Sequence, residues 1–93
     1  MIQSFGDKRT ERIWNLELSK GFDRQLAQVA VRKLQMLNAA ANLNDLRVPP
    51  GNRLEALSGD RVGQHSVRID GQWRICFRWT ESGPFDVEIV DYH

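Results

Sequence analysis

The stretch from Ser66 to Val90, SVRIDGQWRICFRWTESGPFDVEIV, alternates between apolar and polar residues in three successive runs. Alternation with a period of two is typical of β-strands that bury one face. The runs are separated by residues 70–72 (Asp-Gly-Gln) and residues 81–84 (Glu-Ser-Gly-Pro), both of which are turn-forming sequences. The pattern therefore predicts two adjacent hairpins, that is, an antiparallel meander.

The register of the first hairpin decides which polar side chains meet. A three-residue turn keeps one face apolar, whereas a two-residue turn mixes apolar and polar residues, because a slip of one residue inverts the whole strand. We therefore expect Arg68 to lie opposite Arg74 on the face away from the core. The expected apolar pairs are Ile69–Trp73, Val67–Ile75, Ile75–Ile89, Phe77–Val87 and Trp79–Phe85.

The first half of the chain carries helical patterns. Residues 22–41 place apolar side chains at three- and four-residue spacing, which predicts one amphipathic helix that packs on the sheet. Asp23 is expected in its first turn, where its charge complements the helix dipole. Residues 10–18 predict a shorter helix, and residues 42–64 an irregular connection rich in turn signals.

The composition limits the classes of function. The chain has 93 residues, enough for one domain (1–93), with a net charge of +1 and ten arginines among its 13 basic residues. Such a balance excludes a broad basic field, so any phosphate site must be local. A single cysteine, Cys76, excludes an intrachain disulfide and a cysteine-based zinc site. With no apolar run of membrane-spanning length, we expect a soluble cytoplasmic protein.

Two features are candidates for chemistry. Arginines that face each other repel by a few tenths to about 1 kcal/mol, so an anion is expected beside Arg68 and Arg74. Either a ligand phosphate or a carboxylate from Glu88, Asp60 or Asp70 would satisfy this requirement.

The second feature is the sequence Asp91-Tyr92-His93, which joins a carboxylate, a phenol and an imidazole at a strand end. In this register Tyr92 shares the face of Arg68 and Arg74. The group suits metal-free RNA cleavage, in which a base activates the ribose 2′-hydroxyl, arginine stabilises the charged phosphate and an acid protonates the leaving oxygen. A frayed polar terminus fits the same spacing. Two histidines without a ligand pattern do not predict a metal site.

Residues 49–63, 65–79 and 87–93 resemble the HigB-type toxins, also called plasmid maintenance killer proteins, of the RelE/ParE toxin–antitoxin superfamily. The resemblance implies an α+β, microbial RNase-like fold with two helices packed on one face of an antiparallel sheet. It implies a ribosome-dependent mRNA endonuclease without a cofactor. The implied partner is a helix-turn-helix antitoxin of the HigA type, whose complex with the toxin binds operator DNA.

Matching positions carry over Arg74 as the phosphate-stabilising residue and Asp91, Tyr92 and His93 as the acid/base and positioning group. Some relatives have a histidine after the leucine that corresponds to Leu54, where this chain has Glu55. Glu55 is therefore a candidate base. The carboxylates would repel RNA, so Arg53, Arg61 and Arg68 are expected to bind it and balance them. The alternatives are a growth inhibitor that binds a protein such as gyrase, and a weak toxin that acts mainly as co-repressor.

Overall fold

The computed structural model describes residues 1–17 and 19–91, which form an α+β fold. Its sheet contains four antiparallel strands in the order β1-β2-β3-β4. The bounds are β1 Glu55–Ala56, β2 His65–Arg68, β3 Trp73–Thr80 and β4 Gly83–Asp91. The predicted meander is confirmed as β2, β3 and β4, and the short strand β1 extends it by one strand.

The register prediction holds for the first hairpin and fails in part of the second. Val67 pairs with Ile75, and Arg68 with Arg74, as predicted. Ile75 also pairs with Ile89, but Trp79 lies opposite Pro84 rather than Phe85. The cause is a β-bulge, in which Asp86, with a left-handed φ of 55°, adds a residue to β4 opposite Phe77. The predicted Trp79–Phe85 pair is therefore wrong, and the predicted Phe77–Val87 pair falls within the bulge, where Asp86 and Val87 together lie opposite Phe77.

The N-terminal segment binds β4 at this bulge. The Gly6 N–H donates to the Val87 carbonyl at 2.8 Å, and the Val87 N–H donates to the Ser4 carbonyl at 3.1 Å. The Ser4 hydroxyl also accepts the Asp86 N–H at 2.9 Å. The extra residue of the bulge is thus satisfied by contacts with a distant part of the chain.

Two helices cover one face of the sheet, α1 at Lys8–Trp14 and α2 at Arg24–Ala39. The predicted helix over 10–18 begins earlier because the Asp7 carboxylate accepts the Thr10 N–H and caps α1. Asp23 precedes α2 as its N-cap, where its side chain accepts the Leu26 N–H at 2.7 Å. In residues 1–17 and 19–91, neither helix has the length and apolarity needed to cross a membrane.

The apolar core lies between these helices and the sheet. The side chains at its centre are at most 1% exposed: Ile13, Ala30, Leu34, Leu37, Ile75, Phe77, Val87 and Ile89. Ala30, Leu34 and Leu37 belong to the apolar stripe predicted for α2. The opposite face of the sheet carries Ser66, Arg74, Cys76 and Glu88.

Candidate functional site

Arg74 is the centre of the polar face of the sheet. Arg74 lies on the face away from the apolar core, as predicted, yet it is only 6% exposed. Its Nε donates to the Ser66 hydroxyl at 2.7 Å, and its Nη2 donates to the Arg53 carbonyl at 2.6 Å. The residues between the 3-10 turn at Pro50–Asn52 and strand β1 therefore cross the guanidinium and bury it with polar contacts.

The loop is held in place by a buried amide. The side chain of Asn52 is 1% exposed and donates to the carbonyls of Leu46 at 3.1 Å and Val48 at 3.3 Å. Its oxygen accepts from Lys33 Nζ on helix α2 at 2.5 Å. The next residue, Arg53, has a left-handed φ of 46°. This backbone turn presents the Arg53 carbonyl to Arg74.

Glu55 lies beside Arg74 as the next element of the site. A distance of 3.8 Å separates Glu55 Oε1 from Arg74 Nη2. The carboxylate side chain is 50% exposed and the arginine side chain 8% exposed, so Glu55 stands at the solvent edge of the pair. From the sequence, Glu55 was predicted only as a base. The structure also makes it a neutralising partner of Arg74.

Two of the carboxylates that were predicted as partners of Arg68 and Arg74, Glu88 and Asp70, accept hydrogen bonds from other residues. Glu88 accepts from Arg61 Nη2 at 2.8 Å. Asp70 accepts the backbone N–H groups of Gln72 and Trp73, each at 2.8 Å, and so shapes the turn between β2 and β3. The neutralisation of Arg74 by Glu55 depends on the path of the loop, which strand alternation does not reveal.

Arg68 extends the positive charge of the site towards helix α2. It is half-buried opposite Arg74. Burial lowers the pKa of Lys33, and the charges of Arg32 and Arg68 lower it further. These effects indicate a local concentration of positive charge where α2 approaches the end of β2.

Arg61 and Arg53, the other two predicted RNA-binding residues, differ from each other. The guanidinium of Arg61 is half-buried between Glu88 and Gln64, whose Oε1 accepts from Nη1 at 3.1 Å. Arg53 is exposed. Its carbonyl supports Arg74, while its side chain stands at the surface.

Of the predicted carboxyl-terminal group Asp91, Tyr92 and His93, the structure describes only Asp91. Asp91 pairs with Trp73, whereas Arg74 pairs with Val90. Directly opposed residues point to the same side of a sheet, so Asp91 lies on the Trp73 side and not on the Arg74 side. Its carboxylate accepts from Gln72 Nε2 at 3.1 Å. Tyr92 and His93 lie outside the described residues.

Ser66, Asn52 and Lys33 belong to the site but were not identified from the sequence. Ser66 appeared only as a polar residue of a strand and Asn52 only as a turn former. Lys33 falls inside an amphipathic helix, where a lysine is ordinarily solvated. The one available signal was that Ser66 alternates with core residues and must share the face of Arg68.

Thus the molecule is a small α+β domain with helices on one face of its sheet and a buried arginine, paired to a carboxylate, on the other. The model of the family described as the RelE-like toxin of the type II toxin–antitoxin system HigB matches residues 3–93. The chain belongs to this family of HigB-like toxins.

Individual relatives agree with this assignment. A 50-residue stretch is 48% identical to Toxin HigB-1 of Vibrio cholerae and covers 54% of this chain and 53% of that protein. The chain thus spans about half the length of the Vibrio relative. Over 93 residues the chain is 27% identical to Endoribonuclease HigB of Proteus vulgaris, with full coverage of both.

Proposed function

We propose that this chain is the toxin of a type II toxin–antitoxin pair and cleaves mRNA on the ribosome. The observation that carries the proposal is the Arg74 guanidinium, held by Ser66 and the Arg53 carbonyl with the Glu55 carboxylate 3.8 Å from Nη2. A fixed cation beside a carboxylate that could serve as base is the combination that phosphodiester cleavage requires. The name of the Proteus relative, an endoribonuclease, supports this proposal.

Arg74 acts on the charge of the reacting phosphate. Attack by the ribose 2′-oxygen on phosphorus adds negative charge to the phosphate oxygens. A cation that is already oriented and little screened by water stabilises that charge without reorganising. Because Arg74 is anchored at Nε and Nη2, its position does not depend on the substrate.

The reaction needs one proton acceptor and one proton donor. Glu55, half-exposed at the edge of Arg74, is the proposed acceptor of the 2′-hydroxyl proton. The 2′-oxygen forms a bond to phosphorus as the bond from phosphorus to the 5′-oxygen breaks, and an acid returns a proton to that oxygen. Tyr92 and His93 are the proposed candidates for the acid, with Asp91, on the Trp73 side of the sheet, as a proposed positioning residue. The products are a 2′,3′-cyclic phosphate and a 5′-hydroxyl end.

The charges around the site favour an RNA substrate that is bound mainly by a larger partner. Arg68 and the exposed Arg53 are proposed to contact phosphates on either side of the cleaved bond, and Arg61 would exchange Glu88 for a phosphate. With a net charge of +1, the chain has little long-range attraction for RNA. We therefore propose that the ribosome supplies most of the RNA-binding surface. We further propose a helix-turn-helix antitoxin as inhibitor and as the DNA-binding partner.

The test compares the wild type with Arg74→Ala, Glu55→Gln and the control Arg78→Ala. Arg78 is an exposed arginine on the same strand. Each protein is induced in bacteria, growth is followed, and mRNA 5′ ends are mapped; purified proteins are then incubated with mRNA in the presence and absence of ribosomes. We expect Arg74→Ala to lower the cleavage rate by about 10²- to 10³-fold, and Arg78→Ala to cleave like the wild type.

The other outcomes distinguish the alternatives. Growth arrest with intact mRNA and damaged DNA would replace the proposal with a toxin that binds a protein such as gyrase. A wild type without effect on growth or mRNA would indicate a co-repressor. Wild-type cleavage by Glu55→Gln would remove Glu55 as base while leaving the nuclease assignment in place.

A further inference from the structure

Ser66 contacts Arg74 through two atoms and has no access to solvent. The residue is 0% exposed on β2, between Glu55 on β1 and Cys76 on β3. Its hydroxyl accepts from Arg74 Nε at 2.7 Å, and its carbonyl accepts from Nη2 at 3.4 Å. The shorter distance is typical of a hydrogen bond from a charged donor.

We propose that Ser66 is a positioning residue for RNA cleavage, which it supports by fixing the plane of the Arg74 guanidinium. This inference rests on the proposed nuclease function. Because Ser66 is fully enclosed, it cannot touch the RNA, and any effect on cleavage must pass through Arg74.

The geometry of the contacts explains how a hydroxyl sets this plane. The Nε–H and the Nη2 hydrogens lie in the guanidinium plane. Ser66 Oγ accepts at Nε, and the Arg53 carbonyl accepts at Nη2 at 2.6 Å. Two acceptors at different nitrogens define one orientation of the plane. If the hydroxyl is lost, Nε loses the acceptor that Ser66 provides, and the guanidinium is held less firmly against tilting.

A tilted Arg74 keeps its charge but loses its alignment. RNA binding, which depends on the charge and on other arginines, should change little. The chemical step depends on donors aimed at the developing phosphate charge and should slow down. The expected signature of Ser66→Ala is therefore a fall in kcat of about tenfold or more with KM within about twofold, on the scale of one hydrogen bond to a charged group.

Two variants of Ser66 separate the effect of the hydroxyl from that of the side-chain volume, and a variant of Ser4 serves as the control. Ser66→Ala removes the oxygen, and Ser66→Cys keeps the approximate volume but offers a weak acceptor, so both should lose kcat. Ser4→Ala is the matched control. Its hydroxyl also accepts a single N–H, that of Asp86 at 2.9 Å, but at the N-terminal segment. Each variant is assayed with ribosomes and mRNA at a temperature where thermal unfolding shows it to be folded.

Two measurements exclude a merely structural role. In an Arg74→Ala background, Ser66→Ala should cause no further loss of rate, because coupled residues are not additive. By NMR, the Arg74 Nε–H should exchange slowly with water in the wild type and in Ser4→Ala, and faster in Ser66→Ala.

The outcomes are distinct. Full kcat in Ser66→Ala beside an active wild type and an inactive Arg74→Ala overturns the role of Ser66 and leaves the nuclease function intact. A wild-type rate in Ser66→Cys, or an equal loss from Ser66→Ala with and without Arg74, also overturns it. Absence of cleavage by the wild type overturns both proposals.

Discussion

Both faces of the sheet contain buried side chains, but these are enclosed by different means. On the helix side, Phe77 and Ile75 are enclosed by side chains that make no directional demands. On the loop side, Arg74 is almost as well buried, and its guanidinium contacts oxygen atoms of Ser66, Arg53 and Glu55. Apolar packing depends on volume, whereas burial of a cation depends on each hydrogen-bond partner.

Because the two faces are enclosed differently, we expect substitutions on the helix side to affect mainly stability and substitutions on the loop side to affect mainly activity. Truncation of an apolar side chain on the helix side leaves a cavity and lowers the stability of the whole domain. Loss of a hydrogen-bond partner on the loop side tilts or exposes one guanidinium, so it should lower the rate of the reaction before it lowers stability. Substitutions on the two faces therefore test whether the site is energetically separate from the core.

The largest effect is expected from Phe77→Ala on the helix side. Phe77 is 0% exposed, and loss of its ring should lower the free energy of unfolding by about 3–5 kcal/mol. That loss is a large share of the total stability of a domain of this size, about 5–15 kcal/mol. Urea unfolding followed by circular dichroism measures it. Val62→Ala, at a residue 71% exposed, is the control and should change stability by less than about 0.5 kcal/mol.

A smaller effect is expected from Arg53→Gly, which separates the two roles of Arg53. Glycine keeps the carbonyl that accepts from Arg74 and adopts the left-handed φ of 46° easily, so stability should stay within about 1 kcal/mol. Loss of the exposed guanidinium should raise KM and reduce the salt dependence of RNA binding by about one counterion. Binding measured at several salt concentrations tests this. An unchanged salt slope would show that Arg53 contributes only its backbone.

The smallest effect is a pH dependence that comes from Lys33. Burial and the nearby Arg32 and Arg68 lower the pKa of Lys33 in the folded state below its ordinary 10.5. Between the two pKa values the unfolded chain binds more protons, so this lysine makes stability rise with pH in the alkaline range below 10.5. The unfolding free energy of the wild type minus that of Lys33→Met should therefore increase with pH.

Val62→Ala, at an exposed residue without an ionisable side chain, is the control for that pH dependence. Its difference from the wild type should stay flat over the same pH range. A flat difference for Lys33→Met as well would mean that Lys33 titrates alike in the folded and unfolded chains.

The sequence predicts those features of the structure that depend on residues close together in the chain, and fails for those that depend on residues far apart. The meander and the Arg68–Arg74 pair follow from alternation and turn length, which are local properties. The bulge at Asp86 does not, because the segment that satisfies it lies 82 residues away, at Ser4. In the site, alternation predicts that Arg68 and Arg74 share a face. Alternation also places Ser66 on that face. The Glu55 and Arg53 contacts depend on the path of an irregular loop, which no periodicity encodes.

The attachment of the N-terminal segment to β4 also sets an order of events during synthesis. Residues 3–6 leave the ribosome early, but their partners at Pro84 and Val87 are made only near the end of the described chain. Contacts this distant in sequence form late and slowly. The nascent chain therefore remains incompletely folded for most of its own translation, until the last strand emerges.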